Sequence, residues 1–251
     1  MQLEYIKVGP LEVNCSVAVC PETGDAFVVD PGGNADEIIA LIDKLGANVK
    51  LILITHAHFD HVIAAQRIKD FTGAPVYLPK KDKLLYRLMG LQFKMANVAD
   101  KPVRIDRYMK EGDRITVGSL SLEVFHSPGH SPGGSLLYME AEKVLFAGDT
   151  IFRESIGNWK IPFGNLEKLL DSVMNKVLVL PEDTRVIPGH GDETTIAHER
   201  QHNPVMKPEQ LATMREEERK RPGTLKMMGM LFWAILTGST KQKESEEKAN
   251  P

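Results

Sequence analysis

Seven residues, Thr55-His56-Ala57-His58-Phe59-Asp60-His61, constrain this chain more than any other stretch. They follow the apolar run Leu51-Ile52-Leu53-Ile54, which with Lys50 has the length and branched content of a buried strand. Three imidazoles and a carboxylate at the end of such a strand would each cost kilocalories if left without partners. A metal ion is a partner that suits this set, and further ligands should then come from elsewhere in the chain.

Three later turns supply candidates. His130 lies in Ser127-Pro128-Gly129-His130, after an expected strand at 120–125. Asp149 lies in Phe146-Ala147-Gly148-Asp149-Thr150, after one at 143–146. His190 lies in Ile187-Pro188-Gly189-His190-Gly191, after one at 184–187. Each context is a strand, then glycine, then the polar residue, and glycine permits the sharp turn that aims a side chain off a sheet end. The set is His56, His58, Asp60, His61, His130, Asp149 and His190. Such donors suit divalent Zn first, and Fe or Mn as well. They are too many for one tetrahedral ion and suit two ions sharing a carboxylate and a hydroxide.

The chain has 251 residues, 42% hydrophobic and 26% charged, which is room for one sizeable domain and an appendage. Its net charge of −3 is not that of a nucleic-acid binder. Met1-Gln2-Leu3-Glu4 does not open a basic-then-apolar secretory signal. Cys15 and Cys20 sit at an odd offset in one strand-like run, which aims them at opposite faces. A disulfide framework is therefore not expected, and a reducing, cytoplasmic location is.

Further strands are expected at 3–8, 16–20, 26–30, 76–78, 114–117 and 135–139. Helical spacing marks 38–45, 62–71, 82–89, 165–177 and 193–202. Residues 94–112 carry little pattern and read as a surface excursion near the active face. Two antiparallel-rich sheets stacked together, with helices outside, would bury these strands. Residues 206–238 read as a C-terminal helical appendage, with a charge run at 215–221 and an apolar run at 225–236. That apolar run falls short of the ~20 residues that span a bilayer, so a docked helix or a homodimer contact is expected and stable membrane insertion is not. The polar tail 239–251 is expected to be disordered.

The motifs T-H-x-H-x-D-H, P-G-H, G-D-T and P-G-H together resemble those of the metallo-β-lactamase superfamily, over residues 1–205. Within it, Gly189-His190-Gly191-Asp192-Glu193-Thr194-Thr195 with Asn203-Pro204 looks like the bacterial glyoxalase II-like (hydroxyacylglutathione hydrolase-like) enzymes. The resemblance implies an α/β fold of the α+β type, a four-layer αββα sandwich with metals on one edge. It implies His56, His58 and His130 on a first ion, Asp60, His61 and His190 on a second, and Asp149 bridging. Asp60 would also orient the metal-bound hydroxide that attacks a carbonyl. Asp30, in Asp30-Pro31-Gly32, would support the ligands rather than bind metal.

The implied reaction is hydrolysis of a small-molecule thioester, with a glutathione thioester such as S-lactoylglutathione as substrate. The chain departs from these relatives at Gly157-Asn158-Trp159-Lys160, where they commonly read G-[RK]-x-[DY]. Asn158 and Lys160 thus replace the lysine and tyrosine that this segment contributes to glutathione binding in glyoxalase II. Arg215, Arg219, Lys220 and Arg221 offer charge for glutathione carboxylates, although a solvated helix face is the simpler reading. Two other activities suit the same residues. One is a persulfide dioxygenase with a single Fe²⁺ on His56, His130 and Asp149, and the other is hydrolysis of a different ester or a lactone.

One further motif competes. His198-Glu199-Arg200-Gln201-His202 matches the zinc-protease pattern H-E-x-x-H. Asn203-Pro204 should stop that helix just after its second histidine, so it reads as a solvated helix and no second metal site. His126, outside every motif, reads as a hydrogen-bonded structural residue.

Overall fold

Alternation along one strand decides how the layers stack. In the computed structural model, which describes residues 1–229, strand β4 spans Asn48–Leu53. Leu51 and Leu53 enter one core, whereas Ile52 and the following Ile54 enter another. Side chains of a strand alternate between faces, so a strand apolar on both faces needs a layer on each side.

The first sheet runs, in spatial order, β1 (Gln2–Val8), β2 (Val13–Val19), β3 (Asp25–Val29), β4, β5 (Val76–Pro79) and β6 (Arg107–Met109). The pairs β1–β2 and β2–β3 are antiparallel. From β3 to β6 every pair is parallel, so this sheet is mixed rather than antiparallel-rich as the sequence suggested. The reason is the connections. Helix α1 (Ala35–Lys44) crosses between β3 and β4, α2 (Ala65–Thr72) between β4 and β5, and α3 (Lys83–Arg87) and α4 (Met89–Met95) between β5 and β6.

The second sheet contains β7 (Arg114–Val117), β8 (Leu120–His126), β9 (Ser135–Met139) and β10 (Val144–Gly148), all antiparallel neighbours. The hairpin of β11 (Ile151–Phe152) and β12 (Ser155–Ile156) follows β10. Helix α5 (Leu166–Ser172), continued by a π-helical turn at Val173–Val177, then carries the chain to β13 (Arg185–Pro188), parallel to β10. Strand β14 (Thr194–Thr195) closes the edge.

Three cores result. One lies between α1, α2 and the first sheet, one between the sheets, and one between the second sheet and α5. This is the four-layer αββα sandwich expected. Phe27 and Phe146 meet edge-to-face across the inter-sheet core at 5.9 Å, a favoured aromatic geometry. Cys15 and Cys20 fall in different cores, on opposite faces of the first sheet, and both are free thiols.

Two stretches depart from the sequence reading. The weakly patterned 94–112 stretch contains the end of α4 and the short β6, whose alternation is too brief to register. The expected helix at 193–202 begins instead as β14, and α6 (Ile196–His202) starts after Thr195, whose hydroxyl accepts the His198 amide. Beyond it, α7 (Pro208–Lys220) lies against the α5 layer through Leu211 and Met214. Residues 224–229 are helical and Leu225 is 88% exposed. The rest of the apolar run and the 239–251 tail lie outside the described residues. Among those described, no helix is long and apolar enough to cross a membrane.

Candidate metal centre

Strand direction brings the motif residues together. Because β10 and β13 are parallel, Asp149 and His190 leave the sheet at neighbouring strand ends, joined by the Gly189 amide to the Gly148 carbonyl at 2.8 Å. Gly148 takes φ +47°, a left-handed conformation that only glycine adopts freely, and a Cβ there would press on Thr55. A Cβ at Gly189 would collide with Asp149 Oδ1 and His61, so the close approach itself demands glycine. After β4 the chain turns through a 3₁₀ helix at Phe59–His61, which presents Asp60 and His61 beside His56.

Seven donors converge in three overlapping groups: His56, His58 and His130; Asp60, His61 and His190; and His56, His61 and Asp149. Donor atoms within each group lie within 4.8 Å of one another. Asp149 sits between the first two groups. Its Oδ2 is 3.3 Å from His130 Nε2 and 3.6 Å from His190 Nε2, and its Oδ1 is 3.4 Å from His61 Nε2. Asp60 Oδ2 is 3.2 Å from His190 Nε2 and 3.6 Å from His61 Nε2.

The outer hydrogen bonds fix which ring nitrogen faces inward. His130 Nδ1 donates to the Asn158 carbonyl at 2.9 Å and His190 Nδ1 to the Leu11 carbonyl at 2.8 Å, because a carbonyl only accepts. His61 Nδ1 donates to Asp30 Oδ2 at 2.9 Å. The Thr55 hydroxyl gives its proton to Asp30 Oδ2 at 2.6 Å and so accepts from His56 Nδ1 at 3.2 Å. Four Nε2 atoms therefore face the centre. His58 is turned the other way, its Nδ1 2.8 Å from His130 Nε2, a gap that suits a proton or a cation. Such outer partners fix tautomer and ring orientation in metal sites.

Charge completes the test of fit. Burial pushes His56 and His130 down and takes His58 to about 3, which keeps these rings neutral and able to donate lone pairs. Burial opposes ionisation of Asp149 and Asp60 too, but His61 above all holds both below the ordinary carboxylate range. Burial likewise opposes charge on His61 and His190, yet the carboxylates around them carry both above the ordinary imidazole range. Among the described residues no lysine or arginine pairs with Asp60 or Asp149; only histidines do. Buried His56 Nε2, His61 Nε2 and Asp149 Oδ1 have no hydrogen-bond partner. Buried orphaned donors around buried carboxylates are costly unless a cation fills the centre, so the residues present fit divalent ions.

Asp82, Asn14 and Gln92, which the sequence did not single out, hold this arrangement together with Asp30, which it did. Buried Asp82 accepts the Ala57 amide, the Ser131 hydroxyl and the Gly133 amide, tying the turn of His56 and His58 to the turn of His130. Buried Asn14 on β2 donates to the carbonyls of Pro188 and Gly191, on either side of His190. Gln92 on α4 accepts the Phe59 amide and donates to the Ala57 carbonyl. Asp30 accepts the Thr55 amide at 2.7 Å with Oδ1 and, at φ +50°, occupies a strained backbone conformation.

Other sequence candidates lie apart. The Asn158 side chain accepts the Lys160 amide, two residues on, and the Lys160 ammonium pairs with Glu217 at 2.9 Å; neither lines the cavity over the centre. Arg215 pairs with Glu167, Arg219 and Lys220 with Glu216, and Arg221 with Glu218. In the H-E-x-x-H stretch, Glu199 is fully buried and accepts from Thr194, Asn203 and the Glu154 amide, while His198 pairs with Glu154. His126 Nε2 donates to the Pro132 carbonyl.

A cavity of about 540 Å³ opens over the centre, bounded on its floor by His58, Asp60, His130, Asp149 and His190. Its walls come from α3, α4, the 161–163 loop and Met228, and they are almost wholly apolar.

A mixed four-layer sandwich with this centre at the strand ends defines a metallohydrolase fold, and comparison with known families agrees. Residues 8–190 match the metallo-beta-lactamase superfamily, and the chain belongs to it. The hydroxyacylglutathione hydrolase GloC of Haemophilus influenzae is 36% identical over 212 residues, 82% of this chain and 98% of GloC. Among solved structures, the B3 metallo-beta-lactamase BLEG-1 superposes with a TM-score of 0.74 at 36% identity, over 82% of this chain and all of that one. TTHA1623 in a di-iron-bound form gives 0.73 at 36% identity, over 80% and 98% of the two chains. The chain is thus a metallo-hydrolase of this superfamily.

Proposed function

We propose that this protein is a two-metal hydrolase of thioesters, with Asp60 and Asp149 as the carboxylates of its reaction centre. The observation that carries the reading is the set of inward-facing, unpartnered donors in a buried centre open to a cavity. His56, His58 and His130 would hold one ion, Asp60, His61 and His190 the other, with Asp149 between them. Bound there, divalent ions supply an activated water and polarise a carbonyl at neutral pH.

The chain's own groups do the rest. Asp60 Oδ2, turned toward His190 and His61, is placed to accept a proton from the attacking water and so orient it. Asp30 keeps His61 and, through Thr55, His56 in the tautomer that offers Nε2. With a substrate seated between the apolar walls, bulk water would be displaced from the centre, which strengthens each electrostatic contact inside. A thiolate is a good leaving group and needs no strong acid. The described residues place no serine or cysteine nucleophile at the cavity, so direct attack by water is the simpler course.

The similarity to GloC supports the thioester, and the two iron ions of TTHA1623 make iron a metal to test beside zinc. Metal analysis of the purified protein, paired with turnover of S-lactoylglutathione and of simple acyl thioesters, tests the reading. About two ions per chain with thioester cleavage is expected. Oxygen uptake with glutathione persulfide, or cleavage of lactones or β-lactams alone, would overturn it.

A further inference from the structure

The walls of the cavity say more about the substrate than the metal centre does. Leu88, Leu91 and Met95 line one side at helical spacing, Leu88 leading into α4. Phe163 also lines the cavity, in a loop held in place by Arg221, which donates to the carbonyls of Trp159, Ile161 and Gly164. Phe163 itself stands at φ +68°, a strained conformation for a bulky residue. Strain of this kind persists where a fixed surface is needed.

What the walls lack is equally specific. No lysine or arginine lines the cavity among the described residues, and the four cations expected for glutathione carboxylates are paired with glutamates. Among the described residues Gln92 is the one neutral polar side chain in the lining, and both ends of its amide are engaged by backbone. Among the described residues no lining side chain outside the metal centre is left to bond a 2-hydroxyl group or a carboxylate. A lactoyl group would fill little of about 540 Å³ and leave its hydroxyl unpaired there.

Resting on the thioesterase reading above, we infer that the cavity takes the acyl group of the thioester and that this group is an apolar alkyl chain of medium length. The carbonyl lies over the metal centre, the chain runs between α4 and the 161–163 loop, and the thiol portion faces the open side. Hydrolysis breaks the C–S bond: the water oxygen bonds to the acyl carbon, one of its protons leaves with the thiol, and the other is released to solvent as the acid ionises to the carboxylate. Each methylene buried in such a wall is worth about fourfold in affinity.

The test is a chain-length series of N-acetylcysteamine thioesters, acetyl to decanoyl, run beside S-lactoylglutathione on the full chain. The expected result is a rise in kcat/KM of about tenfold or more from acetyl to hexanoyl, with lactoylglutathione poorer than hexanoyl thioester. Leu91→Lys, at a half-open position on the wall, should cut the hexanoyl-to-acetyl ratio by about tenfold, since a charge there opposes an apolar chain. Calorimetry with non-hydrolysable S-alkyl thioethers should show tighter binding with length and a negative heat-capacity change. A flat profile with lactoylglutathione preferred would overturn the apolar acyl site and leave the thioesterase reading standing. Length-dependent thioether binding with no thioester cleaved would do the reverse. Thioether binding independent of length would overturn the site whatever the activity.

Discussion

The Asp82 carboxylate accepts the Ala57 amide at 2.8 Å, holding the backbone between His56 and His58 from a helix start 25 residues away. The same group accepts Ser131 and Gly133, just past His130. All three partners are donors, so Asp82→Asn must turn an amide hydrogen against one of them. That variant and Asp82→Ala should lose about 1–3 kcal/mol of stability in urea and roughly 10- to 100-fold in zinc affinity. Competition with a chromophoric chelator reads the second effect. Wild-type affinity in Asp82→Ala would remove Asp82 from the support of the centre.

Asp30 makes a sharper case, because one of its oxygens serves His61 and Thr55 together. Asp30→Ala removes at once the acceptor of the His61 Nδ1 proton, of the Thr55 hydroxyl and of the Thr55 amide. Metal affinity should fall roughly 10- to 100-fold. Nitrogen NMR shifts of the His61 ring, read in the zinc-loaded protein, would report a changed tautomer. An unchanged ring would count against the role.

The candidate ligands were legible because they announce themselves locally: His56, His58, Asp60 and His61 as one cluster after a buried strand, and His130, Asp149 and His190 each as a strand end, a glycine and a polar residue. Asp82 carries no such signal. It stands in Lys80-Lys81-Asp82-Lys83, which reads as a solvated charge cluster, and its partners are backbone groups distant in sequence. Asn14 is hidden likewise among the apolar residues of β2. The sheet layering followed from alternation, whereas parallel pairing depends on crossovers that alternation cannot encode. At Asn158 and Lys160 the motif position carried over to the chain, but the side chains turn to local partners.

Acid should loosen one layer contact in a defined window. Asp106 accepts Lys69 at 2.6 Å and the Val76 amide at 2.8 Å, joining α2 to the β5 edge. Burial pushes its carboxyl up, but the Lys69 bond, the Val76 amide and the Lys69 and Arg104 charges together outweigh it and hold the group below the ordinary range. A lowered folded pKa gives stability that is present above the unfolded value of about 3.9 and lost as pH falls through the folded one. Asp106→Asn should therefore flatten the stability profile below about pH 4. The pair is partly exposed, so the effect at neutral pH should stay under about 1 kcal/mol. An identical acid limb in both proteins would refute the assignment.

The H-E-x-x-H helix should separate fold from metal. Glu199 is buried and satisfies three groups, so Glu199→Ala should cost about 1–3 kcal/mol. His202, exposed and stacked on His198, should tolerate alanine within about 0.5 kcal/mol. Neither change should alter metal stoichiometry. A lost ion in His202→Ala would reinstate a second site.

Asp149 tests the centre as a whole. It is the only described carboxylate that approaches His61, His130 and His190 at once, and its Oδ1 has no hydrogen-bond partner. A ligand that binds the folded state alone stabilises it by about 2.7 kcal/mol when present at a hundredfold its dissociation constant. Zinc added to the chelated wild-type protein should therefore raise its melting temperature by several degrees. Asp149→Ala should show little of that rise, bind fewer ions per chain, and lose on the order of 10³-fold or more in turnover, the scale of a missing electrostatic stabiliser. The thermal shift matters because it needs no substrate. If Asp149→Ala keeps the full zinc-dependent shift, the carboxylate does not join two ions, whatever becomes of activity.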